Sequence, residues 1–192
     1  MSVRVASRRA TIRRDTAAAL LDAAVEVLVA DPSASLSDVA EAAGIGRTTL
    51  HKHYATRDDL LRAVGHRAIG RWEQVIASAE SSTDPDGGLR VLAEAMISVG
   101  PYLAFLWRSP GFDHAEDIIA RRREVAPRVL AVLKRAQAVG LLRTDVEDFW
   151  LLRTFYSVVY VAADSIDDGY LAPLAAPNLI VDTLTRGLGN PS

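Results

Sequence analysis

Six side chains between positions 47 and 57, Arg47, Thr48, Thr49, His51, Lys52 and Arg57, are rich in hydrogen-bond donors, and no acid lies among them. Guanidinium, ammonium, hydroxyl and imidazole groups gathered at this density suit phosphate oxygens and base edges, which is the chemistry of reading a DNA groove. Catalysis has far less to work with. The four histidines are His51, His53, His66 and His114, cysteine is absent, and no Gly-x-Ser-x-Gly, Walker A or His-Glu-x-x-His pattern occurs. His51 and His53 are two apart and point different ways on a helix, so they make a poor metal pair. His114 beside Asp113, Glu116 and Asp117 is the most suggestive cluster, but acids at a helix start are favoured by the helix dipole alone. The consecutive Arg121, Arg122 and Arg123 read as one turn of a solvated helix face. The expectation is no enzyme, no metal and no cofactor.

The donor-rich segment needs elements that present it. Ser35 and Asp38 stand as Ser-x-x-Asp ahead of Val39, Ala42 and Ala43, a capping box with the shorter acid, which predicts a helix over 36–43. Gly44 supplies the left-handed turn that ends it. Gly46 is the next N-cap, and a second short helix runs over 47–53. Val39, Ile45, Leu50 and Tyr54 turn inward, leaving Arg47, Thr48, Thr49, His51 and Lys52 outward: a helix-turn-helix. Before it, Leu20, Leu21, Ala24, Val25 and Leu28 mark an amphipathic helix over 12–30, closed by Asp31-Pro32.

After it, Thr56 caps a long helix ending near Glu80, and 81–88 is a turn-rich joint. Further helices fall at 89–99, 101–107, 114–138, 145–165 and 175–188, with Pro127 expected to kink or split the third of these and Gly140 to close it. No strand pattern or internal repeat stands out. The class is all-α with about nine helices.

Bulk composition agrees with a globular protein. The chain has 192 residues, a net charge of −2 and 49% hydrophobic residues. Its longest stretches without a charged residue, 95–107 and 169–181, fall short of the roughly 18 apolar residues a membrane span needs. The first 57 residues carry a net +2 and the remainder −4, a basic head on an acidic body. Arg4, Arg8, Arg9, Arg13 and Arg14 crowd the first 14 residues. No membrane contact and a cytoplasmic location are expected.

Residues 12–61 resemble the DNA-binding domain of the TetR family of bacterial transcriptional regulators. The resemblance rests on Ser35, on Val39-Ala40-Glu41-Ala42-Ala43-Gly44-Ile45, on Leu50-His51-Lys52-His53-Tyr54, and on Arg57-Asp58-Asp59-Leu60. It implies that Arg47, Thr48 and Thr49 reach bases or nearby backbone, that His51 and Lys52 reach phosphates or base edges, that Arg57 holds a phosphate, and that Ser35 touches the DNA backbone. His51 stands where the family usually has Tyr, Gly46 where Ser is frequent, and Arg57 where Lys is usual. The Arg-rich tail adds minor-groove or phosphate contacts. The domains implied are a head over 1–56 and a regulatory body over 57–192.

One short recognition helix reads few base pairs, so such heads work as symmetric dimers on a palindromic double-stranded DNA operator. The 145–165 segment is apolar on more than one face and, with the last helix, offers a homodimer surface. The resemblance also implies a cavity in the body for a small apolar or aromatic effector. Trp72, Met96, Tyr102, Phe105, Tyr156 and Tyr160 are the expected ligand contacts. The function implied is a sequence-specific transcriptional regulator, a repressor released by its effector. The alternative is a helical ligand-binding or protein-interaction dimer that no longer binds DNA.

Overall fold

The computed structural model describes residues 17–31, 33–83, 85–108, 112 and 114–187, the side chains of 85–87, 107 and 108 excepted. Among these are nine helices and no strand. α1 runs over 17–30, α2 over Leu36–Ala42, α3 over Arg47–His53, α4 over Arg57–Glu80 and α5 over Pro85–Ser98. α6 is Gly100–Arg108, α7 Glu116–Ala138, α8 Asp148–Asp167 and α9 Ala176–Gly187. The expected start of the first helix at 12, and Arg4, Arg8, Arg9, Arg13 and Arg14, lie outside the described residues.

Local rules set the small N-terminal unit. The Ser35 hydroxyl accepts from the backbone N–H groups of Ser37 and Asp38 at 3.2 and 3.3 Å, while Asp38 Oδ2 accepts from the Ser35 N–H at 2.7 Å. Both halves of the capping box are therefore closed. At the other end of α2 Gly44 takes φ +65°, which lets Ile45 N–H reach the Ala40 carbonyl and Gly44 N–H the Glu41 carbonyl, both at 2.9 Å. That pair of bonds is a Schellman closure, and it requires the left-handed residue. Thr56 and Asp59 repeat the capping box at the start of α4.

α4 has 24 residues, about 36 Å of helix, and is the spine of the molecule. Leu60 and Val64 are buried early on it, Ala68, Ile69, Trp72 and Ile76 further along, and one continuous core extends from Leu20 in α1 to Leu184 in α9. At Gly65 the spine accepts another ring: a Cβ there would lie 2.9 Å from Phe112 and 3.0 Å from Ile118. The absent side chain is what lets the segment before α7 close onto α4.

Two boundaries differ from the sequence expectation. α5 begins at Pro85 rather than 89, because proline suits the first turn of a helix and leaves no N–H to satisfy. Arg135 crosses beside Gly88 and donates to the carbonyls of Ala79 and Glu80, capping the last turn of α4. The joint thus shrinks from 81–88 to a few residues. Pro127, expected to kink or split its helix, instead sits inside one unbroken α7. It is exposed, so the Arg123 carbonyl that lost its helical donor faces water.

Candidate nucleic-acid interface and effector cleft

α3 is anchored by a single residue. Leu50 is 0% exposed, and around it Arg47, Thr48, Thr49, His51, Lys52 and His53 all stand in solvent. The seven residues of α3 include no acid, so its outer face is a one-sign surface of donors. Arg47 Nε lies 3.4 Å from His51 Nε2, one turn on, setting a guanidinium and an imidazole side by side. Ser35 is exposed at the N-terminus of α2, its hydroxyl engaged in the capping box. Arg57 is half-buried, and its Nε donates to the Ala34 carbonyl at 3.3 Å, tying the entry of α2 to the start of α4. The structure thus gathers Arg47, Thr48, Thr49, His51 and Lys52 on one helix, with Ser35 and Arg57 at the neighbouring helix starts.

This unit is fastened to the rest of the chain by buried charge. Arg67 donates from Nε and Nη2 to the two oxygens of Asp22 in α1, each at 2.8 Å, Arg71 adds a bond at 3.1 Å, and the Tyr102 hydroxyl donates at 2.8 Å. The Arg67 hydrogen bond does most to hold the Asp22 carboxyl down to about 2, against the desolvation that would raise it. Farther out, Asp117 of α7 accepts from Arg62 at 2.7 and 2.9 Å and sits 2.8 Å from His66 Nε2. Its carboxyl is held far below the usual carboxylate range, chiefly by Arg62. Asp117 is thereby part of a structural ion pair, and no group of three or more potential metal ligands occurs among the described residues.

A cleft of about 770 Å³ opens between α4, α7 and α8. Trp72, Tyr156 and Tyr160 line it, with the Trp72 and Tyr156 rings edge-to-face at 5.8 Å. Burial pushes the Tyr156 hydroxyl above its ordinary pKa, with Arg122 pulling the other way. The other three expected ligand contacts lie away from this cleft. Met96 is fully buried in the core, Phe105 packs edge-to-face on Phe112 at 5.3 Å, and the Tyr102 hydroxyl is used by Asp22. The sequence reading missed Arg122, Arg123 and Arg153, which line the cleft. Two of them stood in the noted arginine triple, but their separation from Arg121 depends on packing. Arg121 alone turns to α4, donating to Glu73 at 2.6 and 3.0 Å.

α8 buries Leu151, Phe155, Val159 and Ala162 along one stripe, yet on its other side Phe149 is 69% and Trp150 60% exposed. Leu179 of α9 is half exposed, which continues an apolar surface across the last two helices.

Residues 20–64 match the family model described as bacterial regulatory proteins, tetR family. Over 177 residues the chain is 30% identical to the HTH-type transcriptional repressor LfrR of Mycolicibacterium smegmatis, covering 92% of each chain. It belongs to the TetR family. A second relative, the HTH-type transcriptional regulator NfxB of Pseudomonas aeruginosa, is 26% identical over 178 residues, spanning 90% of this chain and 94% of that one. The solved structure of the TetR-like regulator LfrR from Mycobacterium smegmatis in complex with proflavine superposes with a TM-score of 0.81 at 29% identity, covering 94% of this chain and 99% of that one. The LfrR structure whose description names no ligand gives 0.65, over 90% and 99%. As a TetR-family member the chain is a DNA-binding regulator of transcription, and the family is one of regulators, not enzymes. No single helix among the described residues is long and apolar enough to cross a membrane.

Proposed function

We propose that the chain is a homodimeric repressor whose α3 reads a palindromic operator and which a small aromatic effector releases from DNA. The carrying observation is the outer face of α3: donors of one charge sign, no acid, and a fully buried Leu50 fixing the helix beneath them. Arg47, Thr48 and Thr49 reach base edges, His51 and Lys52 reach base edges or phosphates, and Ser35 and Arg57 steady the flanking backbone. Arg57 spends one donor on Ala34 and has others for a phosphate oxygen. Residues 1–56 form the reading head and 57–192 the regulatory body.

Two recognition helices must lie about 34–36 Å apart to enter successive major grooves. The exposed apolar surface of α8 and α9 supports a twofold four-helix contact that sets this spacing. The cleft at Trp72, Tyr156 and Tyr160 supports effector binding, as does the likeness to a structure that holds proflavine. That likeness carries over an aromatic guest only; its charge is a matter for this chain's own residues. Trp72 lines the cleft and its neighbour Arg71 bonds Asp22 of α1, so α4 links effector to head within one residue. An effector that prefers one head spacing shifts the DNA equilibrium by its differential affinity.

The test is selection from a genomic DNA-fragment pool. A palindromic site with half-site centres about one helical turn apart is the expected product. A folded dimer that enriches no sequence would point instead to a ligand-binding or interaction protein.

A further inference from the structure

We propose that the cleft between α4, α7 and α8 takes an anion: a flat, apolar molecule bearing a carboxylate or similar delocalised negative group, held by Arg122, Arg123 and Arg153. The inference rests on reading this cleft as the effector site, and it adds the charge of the effector. Eleven residues line the cleft; three are arginines and none is acidic.

Arginine in this chain is ordinarily neutralised. Arg62, Arg67, Arg71, Arg121, Arg128, Arg143 and Arg186 each have a carboxylate within ion-pair distance. Arg123 and Arg153 have none among the described residues. Arg153 instead stands 5.3 Å from the centroid of the Phe149 ring, a contact that leaves its positive charge in place. Arg122 is half-buried on the same wall, with its field reaching the Tyr156 hydroxyl. Adjacent guanidiniums with apolar neighbours make a region of positive potential, where an anion is attracted and a cation repelled more strongly than in water. A planar fork also matches a carboxylate with two bonds at once.

A second observation is independent of the arginines. Trp72 is 3% exposed, lines the cleft, and its Nε1 is buried with no hydrogen-bond partner. The indole N–H only donates, so what completes it is an acceptor atom. The apolar walls Ile119, Leu152 and Val161 then cover the rest of the guest. An aromatic carboxylate satisfies all three demands: ring against the walls, charge against the forks, and an acceptor near the indole.

The test is titration calorimetry of the full chain with three probes sharing one ring system: 2-naphthoate, 2-naphthylmethylammonium and 2-naphthalenemethanol. Naphthoate is expected to bind at least tenfold tighter than the ammonium, with the alcohol between them. In an Arg123→Gln, Arg153→Gln double variant with an unchanged melting transition the gap is expected to close to about threefold or less, and Arg123→Lys, Arg153→Lys to restore part of it. Trp72→Phe is expected to weaken naphthoate severalfold. If the ammonium binds as tightly as naphthoate, or the gap survives the glutamine variant, the anion assignment is wrong while the cleft remains a site. If none of the three binds at millimolar concentration, the effector site itself lies elsewhere and the inference falls with it.

Discussion

The Tyr102 hydroxyl donates to Asp22 Oδ1 at 2.8 Å, so α6 of the body grips α1 of the head across 80 positions of sequence. Arg67 and Arg71 of α4 grip the same carboxylate. A single acid therefore fastens α1 to two helices of the body. Removing the hydroxyl with Tyr102→Phe is expected to cost about 1 kcal/mol, and Asp22→Asn about 1–3 kcal/mol, because it leaves two guanidiniums facing a neutral acceptor. Chemical denaturation of the two single variants and the double variant would measure this, and additivity of the pair would deny that they share one network.

Asp22 also sets an acid limit. Its carboxyl is held at about 2 against an ordinary 3.8, so as pH falls through that interval the unfolded chain takes up the proton first. Its contribution to stability is complete above about pH 4 and is lost toward pH 2. The melting temperature of Asp22→Asn should fall less steeply over this interval than that of the wild type; parallel curves would remove Asp22 from the explanation.

Gly65 is where the ring of Phe112 meets the spine. An added methyl would sit 2.9 Å from that ring, closer than real contacts allow, so Gly65→Ala is expected to destabilise by about 1–3 kcal/mol despite alanine's better helix propensity. The paired variant Gly65→Ala, Phe112→Leu should recover part of this loss. Stabilisation by Gly65→Ala alone would show that the segment before α7 does not press on α4.

The exposed Trp150 and Leu179 belong to the surface assigned to the twofold contact. Trp150→Glu with Leu179→Glu is expected to halve the mass seen by light scattering at micromolar concentration and to abolish operator binding, while helix content stays intact. Retention of the dimeric mass would move the contact to another face.

What sequence made legible was local. The Ser35–Asp38 and Thr56–Asp59 boxes and the turn at Gly44 depend on residues two to four apart, and the same short spacing placed Leu50 inward and Arg47 and Lys52 outward. Contacts that close over long separations were not legible. Tyr102 read as a ligand contact, yet its hydroxyl answers an acid in α1. Arg121, Arg122 and Arg123 read as one solvated turn, yet Arg121 reaches a glutamate 48 residues away and the other two line a cleft. Pro127 read as a break because its rule is local, whereas its tolerance depends on which side of α7 meets water.

The most direct measurement is operator affinity at 50 and 200 mM salt for the wild type and for Arg47→Ala, Lys52→Ala. The wild type is expected to lose affinity steeply with salt. The double variant, folded and dimeric, should bind at least a hundredfold more weakly, with a log-log salt slope shallower by about 1–2, one unit for each phosphate contact removed. Equal affinity and an unchanged slope would mean that α3 does not touch DNA.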